Sequence, residues 1–343
     1  MVTSFIKNYA LLVFLIANLN DVVVCSDSNL KKEIKYDEYQ VTIYRDIWGV
    51  PHIYGNKDKD TAYGLGYAHA EDDFQTIQNI LIASRGKLAS YYGKEAAPND
   101  YMVKLLSIWD IVNENYSSLP NDIIAICESY ADGINHFIKN NPKKAVKGIY
   151  PITGKDIIAG FIHRMPLMFG LDRTLAKLAS NKEINDQSTT TASNQFSQRV
   201  LGSNVIAVSS SRSADRHTRL LINSHQPWSG PVAWYEAHLN SNEGWNMVGG
   251  LFPGSPVVFV GHNENIGWSH TVNSPDLIDV YELEVNPDNP KQYYIDGKAV
   301  NFEIDEAVIE VKLWGPFKWT FKREVLKSKF GPVIKNDHGY FAI

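Results

Sequence analysis

Residues 201–208 read Leu-Gly-Ser-Asn-Val-Ile-Ala-Val, and residues 219–228 read Arg-Leu-Leu-Ile-Asn-Ser-His-Gln-Pro-Trp. Two β-type runs, Val205–Val208 and Arg219–Ile222, flank the turn-prone stretch Ser211–Arg216, which predicts an antiparallel hairpin. Centring the turn on Ala214 pairs Val208 with Leu220 and Ile206 with Ile222, giving a matched apolar face. The same register sets Ser203 opposite His225. A serine at one strand's start and a histidine at its partner's end would then be neighbours.

A serine hydroxyl is a poor nucleophile without a base. A chain cut before Ser203 would expose an α-amine beside that hydroxyl, with an ordinary pKa of roughly 8. His225 could hold the amine or a bridging water. The Ser203 hydroxyl could make the cut itself by attacking the Gly202 carbonyl, where no side chain hinders approach. On the hairpin alone, the plainer reading of a turn serine and a loop histidine before Pro227 is the favoured one.

Working outward, the preceding stretch from Asn181 to Gln198 has one aromatic and almost no aliphatic residue, so it cannot bury enough surface to fold alone. It reads as a surface linker or a processed spacer. Before it the chain is mostly helical. Tyr39–Tyr44 alternates like a half-buried strand, and Gly49 and Pro51 mark a turn before a second extended run. From Asp60 to about Leu106 the pattern is helical. A clear helix runs from near Asp122 to Lys139, with Ile123, Ile126, Cys127, Tyr130, Ile134, Phe137 and Ile138 on one face. Another starts at Thr153, capped through Asp156, and is expected to bury Ile157, Ile158, Phe161, Ile162 and Met165. Beyond the hairpin, strands are expected at Pro256–Val260, Ile278–Val285 and Glu303–Leu313.

The 33 basic and 38 acidic side chains give a formal charge of −5, which lacks the basic footprint of a nucleic-acid binder. Residues 1–26 read as a secretory signal: Lys7 precedes an apolar run from Tyr9 to Ala17, and Val24-Cys25-Ser26 offers a cleavage region. The run is too short to span a bilayer. Cys25 also allows a lipoprotein reading. If Cys25 leaves with the signal, Cys127 stands alone and no disulfide framework exists. The expected location is periplasmic or secreted. No G-x-S-x-G elbow, H-E-x-x-H pair, close cysteine pair, P-loop or dinucleotide fingerprint occurs.

At these residues the sequence resembles the penicillin acylase family, which includes acyl-homoserine-lactone and aculeacin acylases. The resemblance runs from about Val41 to Ile343. Its blocks are Gly49-Val-Pro-His-Ile-Tyr54, Ala62-Tyr-Gly-Leu-Gly-Tyr-Ala-His-Ala-Glu-Asp72 and Arg85-Gly-Lys-Leu-Ala89. Leu201–Val208, Asn223-Ser-His-Gln-Pro-Trp228, Pro253-Gly-Ser-Pro256 and Gly261-His-Asn-Glu-Asn-Ile-Gly-Trp-Ser-His-Thr-Val272 follow in order.

The resemblance implies an α+β fold, the αββα sandwich of N-terminal-nucleophile (Ntn) hydrolases. Residues 27–180 would form a helical small subunit, 181–202 a removed spacer, and 203–343 the start of a β-rich nucleophile subunit paired with the small one. Ser203 matches the nucleophile, His225 the residue orienting its amine, and Gly202–Ser203 the cleavage site. Val272 matches the backbone N–H of an oxyanion hole, where losing a donor costs about 2.7–4 kcal/mol. Asp276 and Asp279 resemble a structural calcium pair. The implied activity is hydrolysis of the amide in an N-acylated small molecule, with no cofactor required for the chemistry.

Two departures stand out. Relatives among the lactone acylases often carry Phe after the histidine, where this chain has Gln226. The family's nucleophile subunit also extends well beyond Ile343, and an oxyanion-hole asparagine and a supporting arginine come from that part. The chain is therefore expected to be the front part of such an enzyme: a fragment, one half of a split acylase, or an inactive remnant that only binds ligands or a partner.

Overall fold

The computed structural model describes residues 31–180, 202–271 and 276–343. The expected signal at 1–26, the spacer up to 201 and Val272 lie outside these residues. Among the described residues, no helix is long and apolar enough to cross a membrane.

The chain enters as three strands, β1 (Lys31–Tyr36), β2 (Tyr39–Arg45) and β3 (Pro51–Gly55). In β2 the alternation expected from sequence is observed, with Tyr39, Val41 and Ile43 buried. Helices follow: α1 (Asp58–Ser84), α2 (Ala89–Tyr92), α3 (Ala97–Leu105), α4 (Ile108–Asn115), α5 (Asn121–Asn140), α6 (Gly154–Met168) and α7 (Leu171–Ala179).

Helix α1 is buried nearly all round between Asp60 and Ala70. Its small residues make that possible. A Cβ on Gly64 would lie 2.6 Å from Val41 Cγ2, on the sheet side. Two residues on, about 200° round the helix, a Cβ on Gly66 would lie 2.1 Å from the Tyr130 carbonyl oxygen of α5. Gly133 of α5 makes the reciprocal approach to the Tyr63 carbonyl oxygen at 2.1 Å. Backbone thus meets backbone, and α1 is clamped between sheet and helix.

The hairpin is β4 (Ser203–Val208) and β5 (Arg219–Ser224). Then β6 (Tyr235–Ser241), β7 (Asn246–Leu251), β8 (Val260–His262) and β9 (Gly267–Trp268) complete the main sheet, in the order β1-β2-β3-β6-β7-β8-β9. Among the described residues, only the β3–β6 pairing is parallel. The α1–α5 layer covers one face of this sheet, with Ile53, Leu65, Tyr130, Ile134 and Leu239 in one core. A second sheet, order β10-β16-β15-β14-β13, joins β10 (Tyr281–Leu283), β13 (Glu303–Lys312), β14 (Lys318–Ser328), β15 (Gly331–Asn336) and β16 (Gly339–Ala342). The small β11 (Gln292–Ile295) and β12 (Lys298–Asn301) pair separately. Ala89, Leu105 and Leu178 of α2, α3 and α7 pack on the second sheet. The α+β architecture expected from sequence is present.

Several local expectations need correction. Pro256–Val258 is a loop, not a strand, with Pro256 and Val258 buried and Val257 exposed, because Pro253-Gly-Ser-Pro256 holds the chain in turns and pairing begins only at Val260. Within 278–285 a strand forms only at Tyr281–Leu283, and Val285 adds a single antiparallel bridge to Tyr293. Ile123 and Met165 are exposed at 39% and 46%. Ile123 lies in the first turn of α5, and Met165 turns toward the cavity described below.

The hairpin register is also off by one residue. Ser203 pairs with Ser224, Val205 with Ile222, Ala207 with Leu220 and Val208 with Arg219. The cause lies in the turn. A 3-10 segment at Ser210–Arg212 is followed by Asp215, which accepts from Ser213 Oγ at 2.6 Å and from the His217 N–H at 3.2 Å. Arg219 pairs with Asp215, and this fixes Arg219 as the first residue of the second strand.

Candidate active site around Ser203

The register decides which side chains share a face. Ser203, Val205 and Ala207 lie with Leu220, Ile222 and Ser224 on one face of the hairpin. Asn204 and Asn223 lie on the other, with Ile206 and Leu221 exposed at 55% and 53%. His225 does not oppose Ser203, as the sequence predicted, but Gly202. Its backbone N–H donates to the Gly202 carbonyl oxygen at 3.1 Å.

His225 is exposed and belongs to the Asn204–Asn223 face. Its Nε2 lies 3.4 Å from Asn204 Nδ2 and 3.3 Å from Asn223 Nδ2, and accepts from both amides. That leaves Nδ1 as the N–H, close to Gly202: a Cβ there would stand 3.2 Å from it. The imidazole therefore neighbours the backbone at the Gly202–Ser203 junction rather than the Ser203 side chain. The Ser203 hydroxyl donates to the Gly202 carbonyl oxygen at 2.5 Å. One carbonyl oxygen thus receives both the hydroxyl and the His225 N–H.

Beside Ser203 lies a cavity of about 350 Å³, within the size range of small-molecule sites. Helix α6 gives it Phe161, Met165 and Met168; the main sheet and its loops add Val232, Trp234, Phe252 and Phe259. Trp234 stacks on Phe252 with ring centroids 4.4 Å apart, and Phe252 meets Phe259 at 4.9 Å. Gly250 makes room for the indole, since a Cβ there would lie 2.9 Å from its ring. Ser224, Gln226, His270 and Thr271 complete the wall on the hairpin side. Thr271 immediately precedes Val272, which itself lies outside the described residues.

Arg164 separates this cavity from a second one of about 510 Å³ lined by Thr76, Asn79, His163 and Asp172. Its guanidinium donates to the Pro231 and Pro253 carbonyl oxygens at 3.0 and 2.8 Å and to its own helix at Gly160. Burial lowers its pKa to about 10. Deeper in the core, burial holds His69 down to about 3 and His163 to about 4, so both are neutral at physiological pH. Cys127 is buried, and desolvation raises its thiol to about 12, leaving it inert.

Asp276 and Asp279 are both exposed. Among the described residues, no three His, Cys, Asp or Glu side chains gather where they could hold a metal ion. Calcium takes six to eight oxygens, so these side chains alone do not make a calcium centre. Sequence reasoning also passed over Arg164, Trp234, Phe252 and Phe259. Nothing in their local sequence distinguishes a cavity wall from ordinary core.

A family model described as penicillin amidase matches residues 40–343. The chain is similar to an acyl-homoserine lactone acylase PvdQ from Pseudomonas fluorescens (strain Pf0-1), at 26% identity over 317 residues, covering 85% of this chain and 41% of that protein. It is similar to aculeacin-A acylase from Actinoplanes utahensis at 26% identity over 325 residues, covering 86% and 41%. Among solved structures, thermostable penicillin G acylase from Alcaligenes faecalis matches with 23% identity and a TM-score of 0.32, covering 41% of this chain and 81% of that chain. The chain spans about 41% of the length of the curated relatives it matches.

Proposed function

Because the chain belongs to the penicillin amidase family, we propose that it is the part of an exported N-terminal-nucleophile amidohydrolase that supplies the nucleophile, Ser203, for cleaving the amide of an N-acylated small molecule. The observation that carries this reading is the double hydrogen bonding of the Gly202 carbonyl by the Ser203 hydroxyl and the His225 N–H. The names of the relatives, acyl-homoserine lactone acylase and aculeacin-A acylase, support an N-acylated small molecule as the substrate class.

Maturation comes first. The Ser203 Oγ attacks the Gly202 carbonyl carbon, and the His225 N–H steadies the charge growing on the oxygen. The C–N bond breaks, the nitrogen takes the hydroxyl's proton, and the acyl group rests on Oγ as an ester. Water hydrolyses that ester, leaving a Gly202 carboxylate and a free Ser203 α-amine. Residues 203–343 then begin the nucleophile subunit, paired with the small subunit from 27–180 after loss of the signal and spacer.

In turnover the α-amine accepts the hydroxyl proton as Oγ attacks the substrate carbonyl. The amine passes that proton to the leaving amine, and an acyl-enzyme forms with its acyl group in the apolar cavity. Water, activated by the same amine, releases the acid and restores Ser203. The His225 Nδ1 side of the imidazole faces the junction and orients the new amine. The Val272 N–H serves the substrate oxyanion, together with groups from the remainder of the family's nucleophile subunit. No step passes through a metal.

Intact-mass measurement of the purified exported protein and its Ser203→Ala variant tests the reading. A new N-terminus at Ser203 in the first and none in the second supports it. A single uncleaved mass in both overturns self-maturation and leaves an inert fragment, or one half of a split enzyme awaiting its partner.

A further inference from the structure

Away from Ser203, two histidines from distant parts of the chain meet on the main sheet. His52 of β3 and His238 of β6 are direct partners in the parallel pairing. They lie on the face away from α1, since their neighbours Ile53 and Leu239 are buried in the α1–α5 core. Their Nδ1 atoms stand 3.1 Å apart, in a contact that is only partly buried, with the rings crossed at 78°.

Each ring turns its other nitrogen to an oxygen. Asn246 Oδ1 lies 3.3 Å from His238 Nε2, and Asn246 Nδ2 donates to Glu264 Oε2 at 3.4 Å, which fixes the amide's orientation. His238 therefore carries its proton on Nε2 and presents a lone pair at Nδ1. Asp46 Oδ2 stands 3.7 Å from His52 Nε2 and favours a proton there as well. A neutral His52 so arranged sets two lone pairs against each other. With its proton moved to Nδ1, it turns a lone pair on the carboxylate instead. A cation between the two Nδ1 atoms resolves the conflict. Burial lowers the His238 pKa, which favours the neutral form that a metal needs.

We propose that His52 and His238 form a two-histidine site for a divalent transition-metal ion that favours imidazole, such as zinc, held through both Nδ1 atoms with water at its other positions. Imidazole nitrogens about 2.0–2.1 Å from a metal stand about 2.9 Å apart in cis octahedral geometry and about 3.3 Å apart in tetrahedral geometry. The observed 3.1 Å falls between them. Asp46 and Asn246 stand behind the rings, where outer oxygens orient metal-bound histidines. No third His, Cys, Asp or Glu joins the pair among the described residues, so the ion is exchangeable rather than a closed structural centre. Since β3 precedes Ser203 and β6 follows it, the ion would tie the two subunits together once the chain is cut there.

The test titrates the full chain carrying Ser203→Ala with Zn2+ by calorimetry, so that it does not depend on cleavage. One Zn2+ per chain should bind, and its affinity should fall about tenfold or more in His52→Gln, in His238→Gln and in Asn246→Leu. His217→Gln, on the exposed hairpin turn, should leave it unchanged, and Ca2+, a hard cation, should not compete. Circular dichroism without metal checks that each variant is folded. Where a histidine variant does not fold, one equivalent of Cu2+ on the Ser203→Ala chain decides: its EPR spectrum should carry splitting from two nitrogens. Zn2+ binding that survives both histidine substitutions, a Cu2+ spectrum with one nitrogen or none, or competition by Ca2+ overturns the proposal. Absence of Zn2+ binding overturns it too and leaves a proton as the bridging cation. Processing before Ser203 is read separately by mass, so failure of self-maturation would leave the metal site standing.

Discussion

The His225 backbone N–H donates to the Gly202 carbonyl oxygen at 3.1 Å, so this residue meets the junction through its main chain as well as its ring. The two contributions separate under mutation. In His225→Ala the N–H remains, so cleavage before Ser203 should proceed. The imidazole that orients the amine is gone, and turnover of an N-acyl amide should fall by about 10²-fold or more. Mass spectrometry reads the first and amide hydrolysis the second. Loss of processing in a folded His225→Ala protein would show that the ring, not the backbone, governs the cut.

Gly202→Ala probes the same junction from the other side. The new Cβ would stand 3.2 Å from His225 Nδ1, tighter than ordinary contact, and the exposed ring must shift to admit it. Precursor should still fold, but its processing should slow by roughly tenfold, equivalent to about 1.4 kcal/mol in the barrier. The decay of precursor on a gel gives the rate. An unchanged rate would mean that the ring's position is immaterial to the cut.

Much of this site was legible in sequence because alternation and helical periodicity record burial directly. Tyr39, Val41 and Ile43 announced β2, and Thr153 with Asp156 announced the start of α6 through its capping box. The hairpin was visible too, but its register was not. Val205, Ile206, Ala207 and Val208 are all apolar, so no polar alternation fixes which of them faces inward, and one-residue shifts look equally good. The deciding contacts are those of Asp215 with Ser213, His217 and Arg219 in the turn. Trp234 and Phe252 were illegible for another reason: a cavity wall is assembled from residues far apart in the chain.

The close approach of α1 and α5 makes a prediction about stability. Alanine normally strengthens a helix relative to glycine by roughly 0.5–1 kcal/mol. At Gly66 that gain should be reversed, because the Cβ would sit 2.1 Å from a backbone oxygen that cannot step aside without moving α5. Gly66→Ala and Gly133→Ala should each lose about 1–3 kcal/mol by denaturant unfolding. Gly160, whose Cβ would meet only Ile80 Cγ2 at 3.7 Å, is the control and should tolerate alanine. Equal behaviour at all three positions would refute the close packing.

Buried histidines set the acid limit of the fold. His69 accepts or donates at Nδ1 with Tyr130 Oη at 3.1 Å and stacks on Tyr235 at 3.9 Å, while its Nε2 is buried without a partner. His163 bonds Asn99 at 2.8 Å. Their folded pKa values, about 3 and about 4, lie below the ordinary 6.5. Below 6.5 the unfolded chain therefore binds protons that the folded one refuses. Their stabilisation is complete above 6.5 and is lost progressively as pH falls toward 4 and then 3, by up to about 1.4 kcal/mol per pH unit for each ring. Unfolding free energy measured against pH should show this slope, and His163→Asn should remove its share. A flat profile across that window would place both rings in contact with solvent.

Arg164 should be worth more as a strut than as a charge. It is buried with no carboxylate partner among the described residues, yet its lowered pKa of about 10 still leaves it protonated at neutral pH. What holds it is the pair of carbonyl oxygens at Pro231 and Pro253, which it ties to α6 across the boundary between the two cavities. Arg164→Met keeps much of the volume but strands both oxygens, and should cost about 2–4 kcal/mol. Arg164→Lys keeps the charge and can reach one oxygen at a time, so it should recover only part of that loss. If charge alone mattered, lysine would restore stability fully. If the guanidinium were dispensable, methionine would be neutral, since removing a buried charge saves its desolvation cost. Denaturant unfolding of the two variants beside the parent protein separates these cases, and an intermediate lysine with a weak methionine is the order the bridging geometry requires.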